Sequence, residues 1–261
     1  MISVSHLVKT FGPVTAVNDL SFSVPQGSIM AFLGPNGAGK TTTIQILTTL
    51  LNPTSGSIQL NGYDVRTQKN EIRKSFGIVF QDPSLDEELT AFENMEFHGV
   101  LYGIPKKLRR ERIHELLCFT ELCDRKDDLV KNFSGGMKRR LEIARGLLHH
   151  PKILFLDEPT IGLDPQTRNH IWDYIKDLNK KEGVTVFFTT HHIEEAERIA
   201  QEVIIVDHGT IVAQGSPDEL KRSVNATSLE DAFIALTGKA IREEEQSPAA
   251  HMREHQKMWR R

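Results

Sequence analysis

The stretch GPNGAGKTT, residues 34–42, follows the apolar run SIMAFL and precedes Thr42–Leu51, a segment without glycine or proline. A buried strand, a glycine-rich loop and a helix in immediate succession leave the backbone few options. The glycines let the chain curl so that successive N–H groups converge, and the helix N-terminus directs its partial positive charge into that curl. Gly34, Pro35, Asn36, Gly37, Ala38, Gly39, Lys40, Thr41 and Thr42 therefore form a candidate phosphate-binding loop. In it, Lys40 would neutralise β- and γ-phosphates and Thr41 would offer a hydroxyl to Mg²⁺. The bland alternative is a glycine-rich turn from strand to helix.

The rest of the chain supplies the context such a loop requires. Ile2–Val24 alternates apolar and polar residues in short runs, and PQG (25–27) punctuates them before SIMAFL, which reads as strand, turn and buried strand. NPTSG (52–56) stops the helix after the loop, SIQLNGYDV (57–65) alternates around Asn61-Gly62, and FGIVFQD (76–82) is a further apolar run. From about Thr90 to Leu148 the sequence is charged, rich in helix signals and poor in strand signals, with Ile113, Leu116, Leu117 and Leu122 on one stripe. Met137, Leu141, Ala144 and Leu148 define a second buried helical face, which turns Lys138, Arg139 and Arg140 outward. KILFLDEPT (152–160) returns to a buried strand, and helix 166–182, strand 184–190, helix 192–200 and strand 202–207 follow. This alternation predicts an α/β fold with a mostly parallel core sheet covered on both faces, an N-terminal antiparallel β region, and a helical subdomain inserted at about 88–150. SLEDAFIALTG (228–238) reads as a short amphipathic helix with a glycine stop, closing a domain at 1–238, and 239–261 as a charged, mobile tail.

Composition excludes several functions. With 32 basic and 35 acidic residues the net charge is −3, so no global field favours nucleic acid, and no nucleic-acid partner is expected. The longest apolar runs fall far short of the roughly 20 residues of a membrane-spanning helix, and the N-terminus lacks a secretion signal, which points to a cytosolic compartment. Cys118 and Cys123 are the only cysteines and fall in one predicted helix with neither a second pair nor a His-x-His cluster close by. Reduced boundary thiols are expected there rather than a zinc site.

Two further motifs carry chemistry. Asp157 and Glu158 end the run ILFLD, which places two carboxylates at the carboxyl edge of a parallel sheet, where such sheets bind ligands. Asp157 would hold Mg²⁺ and Glu158 would polarise a water for in-line attack on a γ-phosphate, unless both merely cap the turn before Pro159. NFSGGMKRR (132–140) sets Ser134, Gly135 and Gly136 directly before a helix, as a second anion-binding device or an ordinary helix cap.

GPNGAGKTT, FSGGM, LFLDEPT, GLDP and TTHH, in this order and spacing, resemble the ATP-binding subunit of an ABC transporter over roughly residues 3–238. FSGGMKRRLEIARGLLHHP, GLDP and LEDAFIALTG resemble in particular the daunorubicin-resistance type of export ATPase, which drives drugs, lipids or polysaccharides outward. The resemblance implies a P-loop NTPase that binds ATP and Mg²⁺ and pairs head to tail with a second copy, each ATP lying between the phosphate loop of one copy and the Ser-Gly-Gly segment of the other. It implies that Ser134, Gly135 and Gly136 contact the partner's γ-phosphate, that Asp164 couples the two sites, and that Gln81 touches Mg²⁺ and the attacking water. It further implies that His191, rather than His192, contacts the γ-phosphate and holds Glu158, and that Phe11 stacks on adenine unless it is a core phenylalanine. Met137 stands where the family commonly has glutamine. A separate transmembrane permease is the implied partner, with the chain peripheral on the cytoplasmic face of the membrane. A soluble ATPase of the same superfamily acting on ribosomes or nucleic acid, an importer ATPase and an inactive nucleotide-gated scaffold are the alternatives.

Overall fold

The structure is a computed structural model that describes residues 1–82 and 84–238; the tail expected at 239–261 lies outside the described residues. β1 (Ile2–Phe11) and β2 (Val14–Val24) alternate buried and exposed positions, the pattern of strands with one wet face. β3 (Ile29–Leu33) is buried at every position. The phosphate loop leads into α1 (Lys40–Leu47), and β4 (Ser55–Leu60), β5 (Tyr63–Asp64), α2 (Lys69–Ser75) and β6 (Phe76–Val79) follow. Three helices come next: α3 (Ala91–Leu101), α4 (Lys106–Phe119) and α5 (Gly135–Leu147). The chain then alternates: β7 (Ile153–Asp157), α6 (Pro165–Glu182), β8 (Thr185–Thr189), α7 (Ile193–Ile199) and β9 (Glu202–Asp207). β10 (Thr210–Gly215), α8 (Pro217–Ser223) and α9 (Leu229–Thr237) complete it.

The central sheet runs β10-β9-β3-β8-β7-β6, parallel except for the β9–β10 hairpin, and the second sheet, β2-β1-β4-β5, is antiparallel. β3, β7 and β8 are buried along their whole length because both faces of the central sheet are covered. On one face the antiparallel sheet and α1 bury a core in which the rings of Phe22, Phe32 and Phe187 lie 5.4–6.1 Å apart. The other face carries α5, α6 and α7, with Trp172 fully buried beside Phe188. The carboxyl ends of β3, β7 and β8 therefore share one rim, from which the loops carrying Lys40, Asp157, Glu158 and His191 emerge.

Local signals set the helix ends. Thr90 and Glu93 form a reciprocal capping box on α3, Ser134 caps α5, Asp164 with Pro165 starts α6, and Gly183 in the left-handed region ends it. α1 begins at Lys40, two residues earlier than the sequence pattern suggests, because Gly39 itself is the N-cap. β6 is an edge strand whose last pair is Val79 with Leu156, so Gln81 lies two residues beyond the strand.

The expectation for the cysteines is corrected. α4 ends at Phe119 in a tight reversal in which Glu121 adopts φ 56° and the Leu122 N–H donates to the Leu117 carbonyl at 2.7 Å. Cys123 therefore lies outside the helix, at the start of a 3₁₀ turn, 4.3 Å from Cys118 between Cα atoms, and the two are joined as a disulfide.

Candidate functional site

The loop Gly34–Gly39 wraps the N-terminus of α1. Gly39 has φ 96°, and a Cβ there would stand 2.4 Å from the Ala16 carbonyl oxygen of β2, so both the curl and the approach of the antiparallel sheet require glycine. Lys40 is almost completely buried, and its Nζ donates to the carbonyls of Gly34 at 2.8 Å and Pro35 at 3.2 Å. Burial pulls its pKa down, opposed by the carboxylates of Glu158 and Asp157. Thr41 is exposed at the first turn, whereas Thr43 turns inward and donates to the Gly39 carbonyl at 2.8 Å. An ammonium spending its hydrogen bonds on the loop's own carbonyls can transfer them to phosphate oxygens without leaving the curl.

Asp157 and Glu158 follow from β7 as expected, but their placement depends on β8. Thr189 donates its hydroxyl to Asp157 Oδ1 at 2.7 Å and accepts the Glu158 N–H at 3.1 Å, so one side chain sets both acids. Glu158 has φ 50°, a left-handed conformation uncommon outside glycine, which turns its side chain back over the rim. There Oε2 accepts the His191 N–H at 2.9 Å, and Oε1 lies 3.3 Å from His191 Nε2. Burial pushes the Glu158 carboxyl up to about 7, with Lys40 lowering it and Asp157 raising it further. Burial likewise raises the pKa of Asp157. A carboxylate with a pKa near the working pH, held by the His191 N–H with the imidazole beside it, is suited to take a proton from water.

Arg139 overturns the expectation that Lys138, Arg139 and Arg140 all face outward. Its guanidinium is buried and donates to the carbonyls of Phe80 (2.5 Å), Asp157 (3.1 Å), Glu158 (2.9 Å) and Pro159 (2.6 Å), and to Glu142 Oε2 (2.9 Å). Glu142 in turn accepts the Ser84 N–H at 2.8 Å. α5 packs against the end of β6, so the helix face opposite the apolar stripe meets backbone carbonyls rather than solvent. The same side chain thereby ties the turn after Asp157 to the segment that leads into Gln81.

Ser134 accepts the Met137 N–H at 3.3 Å as the N-cap of α5, and Met137 is half-buried. Asp164 caps α6, accepting from the Thr167 N–H at 3.0 Å and the Thr167 hydroxyl at 2.6 Å. These turns abut: a Cβ on Gly136 would lie 2.6 Å from Thr167 Cγ2, and one on Gly135 3.6 Å from Leu163. The Ser134–Gly136 segment thus rests on the Asp164 turn, while Lys40, Asp157, Glu158 and His191 are grouped with one another. Phe11 ends β1, 47% exposed, with Lys9 Nζ 4.7 Å from its ring centre, which removes the reading as a core phenylalanine. Thr189, Arg139 and the buried Glu195, which accepts from Thr160 and Thr190 at 2.9 Å, are site-shaping residues the sequence reading missed. Of these, only Thr189 carried a signal, as the polar end of an apolar run.

A sequence model of the ABC transporter family matches residues 17–161, and an AAA-domain model, described as a putative AbiEii toxin of a type IV toxin–antitoxin system, matches 130–197. The daunorubicin/doxorubicin resistance ATP-binding protein of Streptomyces peucetius is 42% identical over 228 residues, 87% of this chain and 69% of that protein. The Nod factor export ATP-binding protein I of Ralstonia nicotianae is 43% identical over 84% of this chain and 68% of its own length. Among solved structures, an ATP-binding subunit of an ABC transporter superposes with a TM-score of 0.82 at 29% identity, covering 90% of this chain and 99% of that one. A dimeric ATP-binding cassette in a post-hydrolysis state with ADP and phosphate superposes at 0.73 with 28% identity, covering 83% and 98%.

Proposed function

Since the chain belongs to the ABC transporter family as an ATP-binding subunit, we propose that it drives an exporter for a drug-like, lipid or polysaccharide substrate through a separate permease. The protein is a P-loop ATPase that binds ATP and forms homodimers. The observation that carries the catalytic assignment is the grouping of Lys40, Asp157, Glu158 and His191 at one sheet rim, with Glu158 poised near neutrality.

In this reading residues 1–238 form the nucleotide-binding domain, with 88–150 as its helical subdomain. Lys40 and the N–H groups of Gly34–Thr42 cradle the phosphates, and Phe11 stacks on adenine, a contact worth about 1–3 kcal/mol that hardly distinguishes bases. Glu158 accepts the proton of the attacking water while His191 fixes its carboxylate. The oxygen donors of Thr41, Gln81 and Asp157 suit a hard divalent cation, which we take as Mg²⁺. When bound, that ion neutralises charge developing on the transferred phosphoryl group. Ser134, Gly135 and Gly136 serve the partner's ATP, since they rest on the Asp164 turn rather than on their own phosphate loop. ATP then favours the closed dimer by its differential affinity for that state, and hydrolysis releases it.

Among the described residues no helix is long and apolar enough to cross a membrane. In this reading the family to which the chain belongs supplies the permease as a separate partner, with the chain peripheral on the cytoplasmic face. Phe97 (62% exposed) and Leu101 (67% exposed) line a cavity of about 470 Å³ between β6, α3 and α5, an apolar surface for the permease to cover. The test is Glu158→Gln, assayed for Mg-ATP turnover and sedimentation with and without ATP. Turnover is expected to be nearly abolished while ATP drives a stable dimer; normal hydrolysis by the variant would remove Glu158 as the base.

A further inference from the structure

A cluster on α4 lies outside everything assigned to ATP. His114 and Cys118 stand one helical turn apart on the same face, and the reversal after Phe119 returns Cys123 against them. Cys118 Sγ lies 3.8 Å from His114 Nδ1 and Nε2, and Cys123 Sγ lies 3.9 Å from Nδ1. His114 and Cys118 are exposed and Cys123 is half-buried. Sequence proximity alone hides this arrangement, because it looks for a second cysteine pair and not for an imidazole one turn upstream.

We propose that the reduced Cys118–Cys123 pair and His114 form a three-ligand site for a soft divalent cation, Zn²⁺ foremost, which the disulfide closes in the oxidised protein. Tetrahedral zinc with Zn–S near 2.3 Å and Zn–N near 2.05 Å requires N···S separations of about 3.5 Å, so His114 Nδ1 is already within about 0.4 Å of the required distance from each sulfur, and a turn of the ring must aim its lone pair. Among the remaining adjustments, the sulfurs must part to about 3.7 Å, which rotation of two surface side chains supplies. Reduction by a dithiol transfers two electrons and two protons to the disulfide, giving two thiols while the reductant closes to its own disulfide. Metal binding then displaces both thiol protons and takes the lone pair of one neutral imidazole nitrogen, and water fills the fourth position. Two thiolates and an imidazole favour zinc over the hard cations that suit the oxygen donors at Asp157. Glu121, between the two cysteines, is tied to α5 by Arg140 at 2.6 Å, so the cluster is braced against the helix that Ser134 caps.

The test is titration of the full chain with Co²⁺, without nucleotide, after reduction with dithiothreitol and its removal under argon. Because the chain has only two cysteines, a thiolate-to-cobalt charge-transfer band can arise from no other residues. One Co²⁺ per chain with this band, displaced by Zn²⁺ and missing in the oxidised protein, is expected. Cys118→Ser and Cys123→Ser should each weaken or abolish the band, and His114→Ala should lower affinity about tenfold or more while circular dichroism stays unchanged. Absence of the band in reduced protein at saturating Co²⁺ would overturn the site, and unchanged affinity in His114→Ala would overturn the three-ligand assignment.

Discussion

Replacing Arg139 by leucine should injure this protein far more than the same change one residue later. The substitution keeps helix propensity and removes a buried charge that makes five hydrogen bonds, four to backbone carbonyls and one to Glu142. It leaves Glu142 buried without its cation and four carbonyls without that donor; breaking such a pair from one side costs about 3–5 kcal/mol. For a domain of this size each kcal/mol lowers Tm by about 2–4 °C, so a fall of about 6–20 °C is expected. Arg140 instead meets the exposed Glu121 at the surface, where a pair contributes about 0.2–1 kcal/mol, and Arg140→Leu should cost about 4 °C at most. The assay is scanning calorimetry of both variants without nucleotide at neutral pH, with ATP turnover measured well below either Tm. Because Arg139 holds the carbonyls of Asp157 and Glu158, turnover should also fall, by up to about a hundredfold, the effect of displacing a reacting group by about 1 Å. Arg139→Leu with Glu142→Leu should cost less than the sum of the two single changes, since the double variant leaves no uncompensated charge. Equal Tm losses for Arg139→Leu and Arg140→Leu would refute the reasoning.

Thr189→Val conserves shape but strands the Glu158 N–H and removes a donor from Asp157, so it should cost about 1–3 kcal/mol in denaturant unfolding and lower ATP turnover; full turnover would show that the two acids are placed without it. His98, beside the α3 cavity, is held neutral because burial, and then Arg145 and His149, lower its pKa from 6.5 to about 3. With the folded value below the unfolded one, its contribution is whole above pH 6.5 and is lost as pH falls toward 3, by up to about 1.4 kcal/mol per pH unit. His98→Leu should therefore flatten the decline of Tm with acid over that window, and parallel curves for variant and wild type would contradict the assignment.

What the sequence by itself determined is local. Phosphate binding by backbone N–H groups needs a curl, a lysine and a helix start, all within Gly34–Thr42, and the conformational freedom of glycine is a property of that stretch alone. The apolar runs of β3, β7 and β8 announce strands buried on both faces, and the polar ends of β7 and β8 announce the rim. Two helix ends are legible for the same reason, because Ser134 and Gly238 satisfy or redirect the backbone within a few residues. Periodicity ranks the faces of α5 by apolarity but not by what lies opposite them. Only the packing of that helix on β6 turned Arg139 toward the carbonyls of Asp157 and Glu158. The pairing of β7 with β8 likewise put Thr189 between two acids more than thirty positions away, and a left-handed residue at Glu121 brought Cys123 back to His114 and Cys118. Those contacts join side chains across strand order and helix reversals, so they exist only once the chain has closed on itself.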